Sequence, residues 1–271
     1  MPSFLEISPE KLKRIIGTPS APVVIDVREG DDFTADRRLV PTSVRRNATD
    51  VSDWAPMVNR GAVIVCQHGQ KLSHGVAAYL RQAGVDAKVL EGGFEAWVQA
   101  DGPVVPQDKL PPRDKQGRTT WVTRARPKID RIACPWLIRR FIDPNAVFLF
   151  VPTSEVFGVA ERFGGAAFDI EGVFWSHRAE LCTFDLMIEE FGLSSGPLLR
   201  LATIVRGADT ARPDLAPEVA GLLAASLGLS RMYADDLAQL DAGMTLYDAF
   251  YRWSRDATDE THNWPNQKKG Q

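Results

Sequence analysis

The sequence is poor in cysteine: only Cys66, Cys134 and Cys182 occur in 271 residues, and no two of them form a C-x-x-C pair. So sparse and odd-numbered a set is no disulfide framework and suits a reducing compartment. Long apolar runs are also missing. Residues 61–66 and 146–151 fall far short of the roughly 20 residues that cross a bilayer, and residues 215–229 are broken by Pro217 and Glu218. No membrane span is expected. Positive charge is not in excess either: 32 Lys and Arg against 35 Asp and Glu give a net charge of -3. No overall field therefore favours nucleic acid or an anionic membrane surface, and any anion must be held locally. The first fourteen residues, MPSFLEISPEKLKR, lack a basic start followed by an apolar core, so no secretory signal is expected and the cytoplasm is the expected address.

What is present is a globular mixture of 44% hydrophobic and 25% charged residues, in a length that suits two ordinary domains. Ser8 and Pro9 read as a helix start, with Leu12, Ile15 and Ile16 on its apolar face and an end near Gly17. Residues 23–27, 61–66 and 87–90 are compact β-prone runs, and residues 72–82 between the last two have helical periodicity. Strands alternating with helices predict an α/β domain, a parallel sheet flanked by helices, over residues 1–105. Pro103, Pro106, Pro111 and Pro112 then accompany many charges, so residues 106–118 read as a linker.

Beyond it, residues 119–256 predict a helix-rich α+β domain. Strands are expected at 121–123 and 146–151, and a helix carries Ile129, Ile132, Trp136 and Phe141 despite Pro135. Further helices are expected near 182–191, 197–206, 216–227 and 231–253, with Gly192, Gly207 and Gly228 placed to stop three of them. Residues 257–271 read as a polar tail, and there is no internal repeat.

The most informative stretch is GAVIVCQHGQKLSHGVAAYLRQAG at residues 61–84. An apolar strand delivers Cys66 to the short loop Gln67, His68, Gly69, Gln70 and Lys71, and a helix starts at once. Backbone N–H groups in such a turn converge, and with the helix dipole they cradle negative charge. Gly69 lets the chain curl, while Lys71, His68 and His74 can bring positive charge near a thiolate. The plainer alternative is a small packed strand residue. Asp26 and Arg28, at the end of the first strand, are either support for this loop or a structural ion pair, and Phe94 and Trp97 read as core.

Residues 4 to 105 resemble a single rhodanese domain, the sulfurtransferase fold. The resemblance rests on VVIDVRE at 23–29, CQHGQK at 66–71, the helix SHGVAAYLRQAG at 73–84, and VLEGGFEAW at 89–97 followed by GPV. It implies that Cys66 carries sulfane sulfur as a persulfide, taken from thiosulfate or another small donor and passed to a nucleophilic, thiol acceptor. It implies that Lys71 orients the anionic donor and that no cofactor is required. The loop from Cys66 to Lys71 has the shorter form, whereas related phosphatases and arsenate reductases have one residue more.

Residues 119 to 256 resemble the C-terminal domain of the chromate-resistance family known as ChrB. The resemblance rests on WVTRARPKIDRIACPWLIRRFID from Trp121, FDIEG at 168–172, HRAELCTFD at 177–185 and IVRGAD at 204–209. It implies an association with chromate resistance or oxidative stress and its regulation. Direct DNA binding is disfavoured, because no basic arm or recognition helix is evident. From the residues themselves, Asp130, Arg131, Arg139, Arg140, His177, Glu180, Asp185, Arg206 and Asp209 are polar groups within or beside apolar segments, and such groups need partners. They can form an ion-pair network or an anion pocket for a chromate- or sulfate-like oxyanion. His177, Glu180, Cys182 and Asp185 can also contribute to a metal site, although their spacing follows no zinc pattern, and the metal stays undetermined. The expected function is a sulfurtransferase using Cys66; the alternative is an anion or redox sensor using the same loop as a binding nest.

Overall fold

The computed structural model describes residues 4–261; residues 262–271 of the expected polar tail lie outside the described residues. The first half contains β1 (Glu6–Ile7), α1 (Pro9–Ile15), β2 (Val23–Asp26), α2 (Gly30–Ala35), β3 (Arg38–Leu39) and β4 (Val44–Arg45). It continues with α3 (Val51–Trp54), β5 (Ala62–Val65), α4 (Lys71–Gln82), β6 (Ala87–Leu90), α5 (Gly93–Gln99) and β7 (Val105–Pro106). Five strands pair in the order β1-β6-β5-β2-β4, all parallel. β5 lies at the centre, and all four of its residues are buried, which is why it reads as an unbroken AVIV run rather than an alternation. Ser8 caps α1, its hydroxyl accepting from the Lys11 N–H at 3.4 Å.

The second half contains β8 (Thr120–Arg124), α6 (Ile129–Leu137), β9 (Val147–Val151), α7 (Val156–Phe163) and β10 (Ala166–Ala167), then α8 (Thr183–Glu190), α9 (Gly196–Asp209), α10 (Val219–Met232) and α11 (Asp236–Asp256). Its small sheet, β10-β8-β9, is parallel throughout, and α6, α8, α9 and α11 pack on one another beside it. Pro135 lies inside α6 as expected. The helix then widens into a π turn at Ile138–Ile142, closed where the Asp143 N–H donates to the Ile138 carbonyl at 2.8 Å. None of the described helices is long and apolar enough to cross a membrane.

Two expected helix stops are corrected. Gly192 does follow α8 with a left-handed φ of 67°, but Gly207 and Gly228 lie inside α9 and α10. Gly207 is there for close packing: a Cβ on it would meet a Val219 methyl at 2.5 Å and the Arg212 carbonyl at 2.9 Å. Gly228 meets nothing within 4 Å, so no packing need explains it.

The stretch read as a linker at 106–118 makes ordered contacts with both halves. Pro106 pairs across to Arg38 in the antiparallel β3–β7 ribbon. Lys109 Nζ binds Glu190 Oε2 at 2.7 Å, and Arg113 Nη1 reaches Asp143 Oδ2 at 3.2 Å. Its prolines and charges look like linker composition because the anchoring partners are far away in sequence. One continuous apolar core runs beneath, from Leu12, Ile16 and Trp97 to Trp121, Trp136 and Phe141. Phe141 joins the halves: its carbonyl accepts from the Thr42 N–H at 2.8 Å, and its ring lies where a Cβ on Gly17 would sit, 2.3 Å away.

Truncating that ring should unsettle both halves. Phe141→Ala is expected to cost about 3–5 kcal/mol, and denaturant midpoints read at probes in residues 4–105 and in residues 119–256 should fall together. A shift confined to the second half would contradict a shared core.

Candidate functional site

β5 ends at Val65, in register with Asp26 of β2, so Cys66 stands at the carboxyl edge of the sheet with α4 beginning at Lys71. Parallel sheets place ligands at this edge. The Cys66 side chain is buried, with 5% of its surface exposed. It faces the loop it opens: the Gln70 N–H donates to Sγ at 3.2 Å, and the Ser73 hydroxyl lies 3.1 Å from Sγ while sitting 3.0 Å from the Gln70 carbonyl as donor. Gly69 takes a left-handed φ of 65°.

The loop rests on α5, backbone against backbone. The Phe94 N–H donates to the Cys66 carbonyl at 2.9 Å and the Glu95 N–H to the Gln67 carbonyl at 3.1 Å. Contact is so close that a Cβ on Gly93 would lie 2.4 Å from the Cys66 carbonyl and the Gly69 nitrogen. The GGFEAW segment is therefore the seat of the loop. Arg28 braces the same seat. It is fully buried against Asp26, Nη2 to Oδ2 at 2.7 Å, and its guanidinium lies 3.8 Å from the centre of the Phe94 ring. The ion pair and the support for the loop are one arrangement.

Two histidines expected to aid the thiolate face other partners. His68 pairs with Glu95 of α5 at 2.8 Å and His74 with Glu6 of β1 at 3.4 Å. Gln70 and Lys71 are exposed, and Gln67 is half-buried with an unpartnered Oε1. One strand away, a cleft of about 500 Å³ is lined by Arg28, Gly30, Arg45, Arg46, Thr49 and Leu72 among others. Arg45 lies over Phe33 at 3.8 Å, and its Nε is buried without a partner. Burial pushes its guanidinium below the usual range.

In the second half, Asp130 from α6, Asp169 from the loop after β10, and Asp209 at the end of α9 converge on His177. The carboxylate oxygens lie 3.6, 3.5 and 3.2 Å from Nε2, respectively. Asp130 is buried, and its Oδ2 accepts the Thr183 and Phe184 amides at the start of α8, at 2.6 and 3.3 Å. Burial, then Asp209 and Asp169, push its carboxyl well above the usual range, and His177 and Cys182 pull the other way. Hydrogen bonding to Asp169 and then Asp209 holds His177 up to about 10.

The other candidates divide. Arg131 Nε sits 3.3 Å from Asp169 and Arg206 Nη1 3.0 Å from Asp185. Arg139 and Arg140 pair with Asp241 and Asp248 on α11. These four guanidiniums face carboxylates, as in an ion-pair network. Glu180 is exposed and outside the cluster. Cys134 and Cys182 are fully buried, and burial raises both thiols well above the usual range. Sequence reasoning misses Ser73, Asp169 and the cleft residues Arg45 and Arg46. Ser73 was visible only as the first inward polar position after the loop. Asp169, inside FDIEG, carried no spacing signal, since its neighbours come from other elements.

The close contact at Gly93 gives a sharp contrast. Gly93→Ala is expected to lose about 1–3 kcal/mol of stability. Gly75→Ala, in α4 with open space around it, should instead gain about 0.5–1 kcal/mol. Equal melting temperatures for the two variants would contradict the seating of the loop.

Residues 8–100 match the family described as Rhodanese-like domain, and residues 121–254 match ChrB, C-terminal domain. Protein ChrB of Cupriavidus metallidurans is 34% identical over 141 residues, 52% of this chain and 42% of that protein. The chain thus spans about two fifths of that relative's length. Thiosulfate sulfurtransferase GlpE of Pseudomonas aeruginosa is 27% identical over 97 residues, 35% of this chain and 84% of that protein. Among solved structures, a rhodanese-related protein from Thermoplasma volcanium is 23% identical, covering 38% of this chain and 98% of that one, with a TM-score of 0.33. The chain therefore joins a rhodanese-like domain at residues 8–100 to a ChrB C-terminal domain at residues 121–254.

Proposed function

We propose that the protein is a sulfurtransferase, linked to chromate resistance or oxidative stress, that carries sulfane sulfur as a persulfide on Cys66. The observation that carries this is the meeting of a strand-end sulfur, a backbone N–H directed at it and a helix N-terminus, all fixed by the Gly93 seat. A backbone N–H directed at the sulfur can hold part of the negative charge that a persulfide carries. The family match and the thiosulfate sulfurtransferase relative support the same reading.

In the first half-reaction, the Cys66 thiolate attacks the outer sulfur of thiosulfate. A new S–S bond forms, the old one breaks, and sulfite leaves with the bonding pair. In the second, an acceptor thiolate attacks the outer sulfur of the persulfide, and Cys66 leaves as thiolate. The Gln70 N–H, which meets Sγ at the start of α4, can hold negative charge in each state and so serve both steps. Lys71, at the first turn of α4, and the arginine-lined cleft supply the positive charge that draws an anionic donor. The three free thiols suit a reducing compartment and so support a cytoplasmic address.

Incubation with thiosulfate is expected to add the mass of one sulfur to Cys66, and cyanide turnover should vanish in Cys66→Ser. No adduct from any sulfane donor would leave the loop as an anion or redox sensor. Arg45→Ala is expected to raise KM for thiosulfate about tenfold, the equivalent of roughly 1.4 kcal/mol, with kcat nearly unchanged. An unchanged KM would remove the cleft from donor binding.

A further inference from the structure

We propose that Asp130, His177 and Asp209 bind one first-row divalent cation of the manganese(II) or iron(II) class. The three residues come from α6, the loop before α8 and the end of α9, and one donor atom from each lies within 4.8 Å of the others. Ligands about 2.1 Å from a shared ion stand about 3.0–3.4 Å apart in octahedral or tetrahedral geometry. Asp209 Oδ2 and Asp130 Oδ2 lie 3.2 and 3.6 Å from His177 Nε2, close to that spacing. A single N–H on Nε2 can satisfy only one of the oxygens around it, whereas an ion can be met by Asp130 and Asp209 together with the imidazole.

A separate observation points to a missing partner. Asp130 is 1% exposed, and although its Oδ2 accepts two amides of α8, its Oδ1 is buried with no hydrogen-bond partner. A buried carboxylate oxygen left so is costly unless a cation or proton meets it. Asp169 borders the same space and is held from behind: the Thr183 hydroxyl donates to its Oδ1 at 2.9 Å, and Arg131 sits 3.3 Å from its Oδ2. Its Oδ1 lies 3.5 Å from His177 Nε2 and adds negative charge beside the ion. His177 keeps 41% of its side chain in solvent, which leaves a path for the ion and room for water ligands.

The donor set selects the metal. Two carboxylates with a single imidazole and no thiolate suit harder ions than a cysteine-rich zinc site, and the imidazole makes magnesium or calcium a poorer fit. The site stands apart from Cys66 and does not depend on the sulfur chemistry.

The test is a titration of the chelator-treated full chain with manganese(II), following the free-ion EPR signal and the melting temperature. The expected result is one ion per chain and a higher melting temperature with metal. His177→Ala and Asp209→Asn, both at partly exposed positions, should each weaken binding at least tenfold and lose the metal-dependent rise. Glu180→Gln and Cys66→Ser should bind as the unaltered chain does. No manganese uptake at millimolar concentration, or uptake equal in both cluster variants, would overturn the proposal and leave His177 as an imidazolium held by three carboxylates.

Discussion

The chemistry of the first half depends on one close contact, the backbone of residues 66–69 lying against Gly92 and Gly93. No side chain fits between them: a Cβ on Gly69 would come within 2.9 Å of the nitrogens of both glycines and within 2.7 Å of the Leu90 carbonyl. Two α5 amides then take the carbonyls of Cys66 and Gln67, so those carbonyls turn away from the sulfur. With the acceptors turned outward, a donor can turn inward, as the Gln70 N–H does. The buried Asp26–Arg28 pair, stacked on Phe94, fixes α5 relative to β2. The sulfur site thus follows from strand register, glycine contact and one ion pair.

Much of this was legible in the sequence. The central strand, the loop and α4 were readable because a buried AVIV run, a glycine and a helix start are local signals. Local signals also misled. Gly207 and Gly228 carry the same mark as Gly192, yet only Gly192 is a stop; the helices run on where α9 packs tightly on Val219 of α10. Residues 106–118 have linker composition, yet Lys109 and Arg113 are fixed by Glu190 and Asp143. A side chain whose partner lies tens of residues away leaves no trace in its own neighbourhood. Ser73 and Asp169 carry no local signal for that reason, and the partners of His68 and His74, Glu95 and Glu6, are equally invisible in the sequence around them.

The two halves gather charge in opposite ways over a common core. At the Cys66 edge, the Gln70 N–H and the Ser73 hydroxyl meet a soft sulfur, and Arg28, Arg45 and Arg46 line a cleft one strand away. In the second half, three carboxylates crowd one imidazole; Arg131 shares one of them, Asp169, and Arg206 is held by Asp185. A soft anionic site and a hard cationic site in one chain need not interfere, because each attracts what the other repels. Phe141 and the folded 106–118 segment hold them in fixed relation.

The most direct measurement is a crystal structure of the chain after exposure to thiosulfate. A second sulfur bonded to Cys66 Sγ and enclosed by the amides of residues 68–71 is expected, with the Gly93 contact unchanged. An unmodified Sγ, or an added sulfur turned away from those amides, would contradict it.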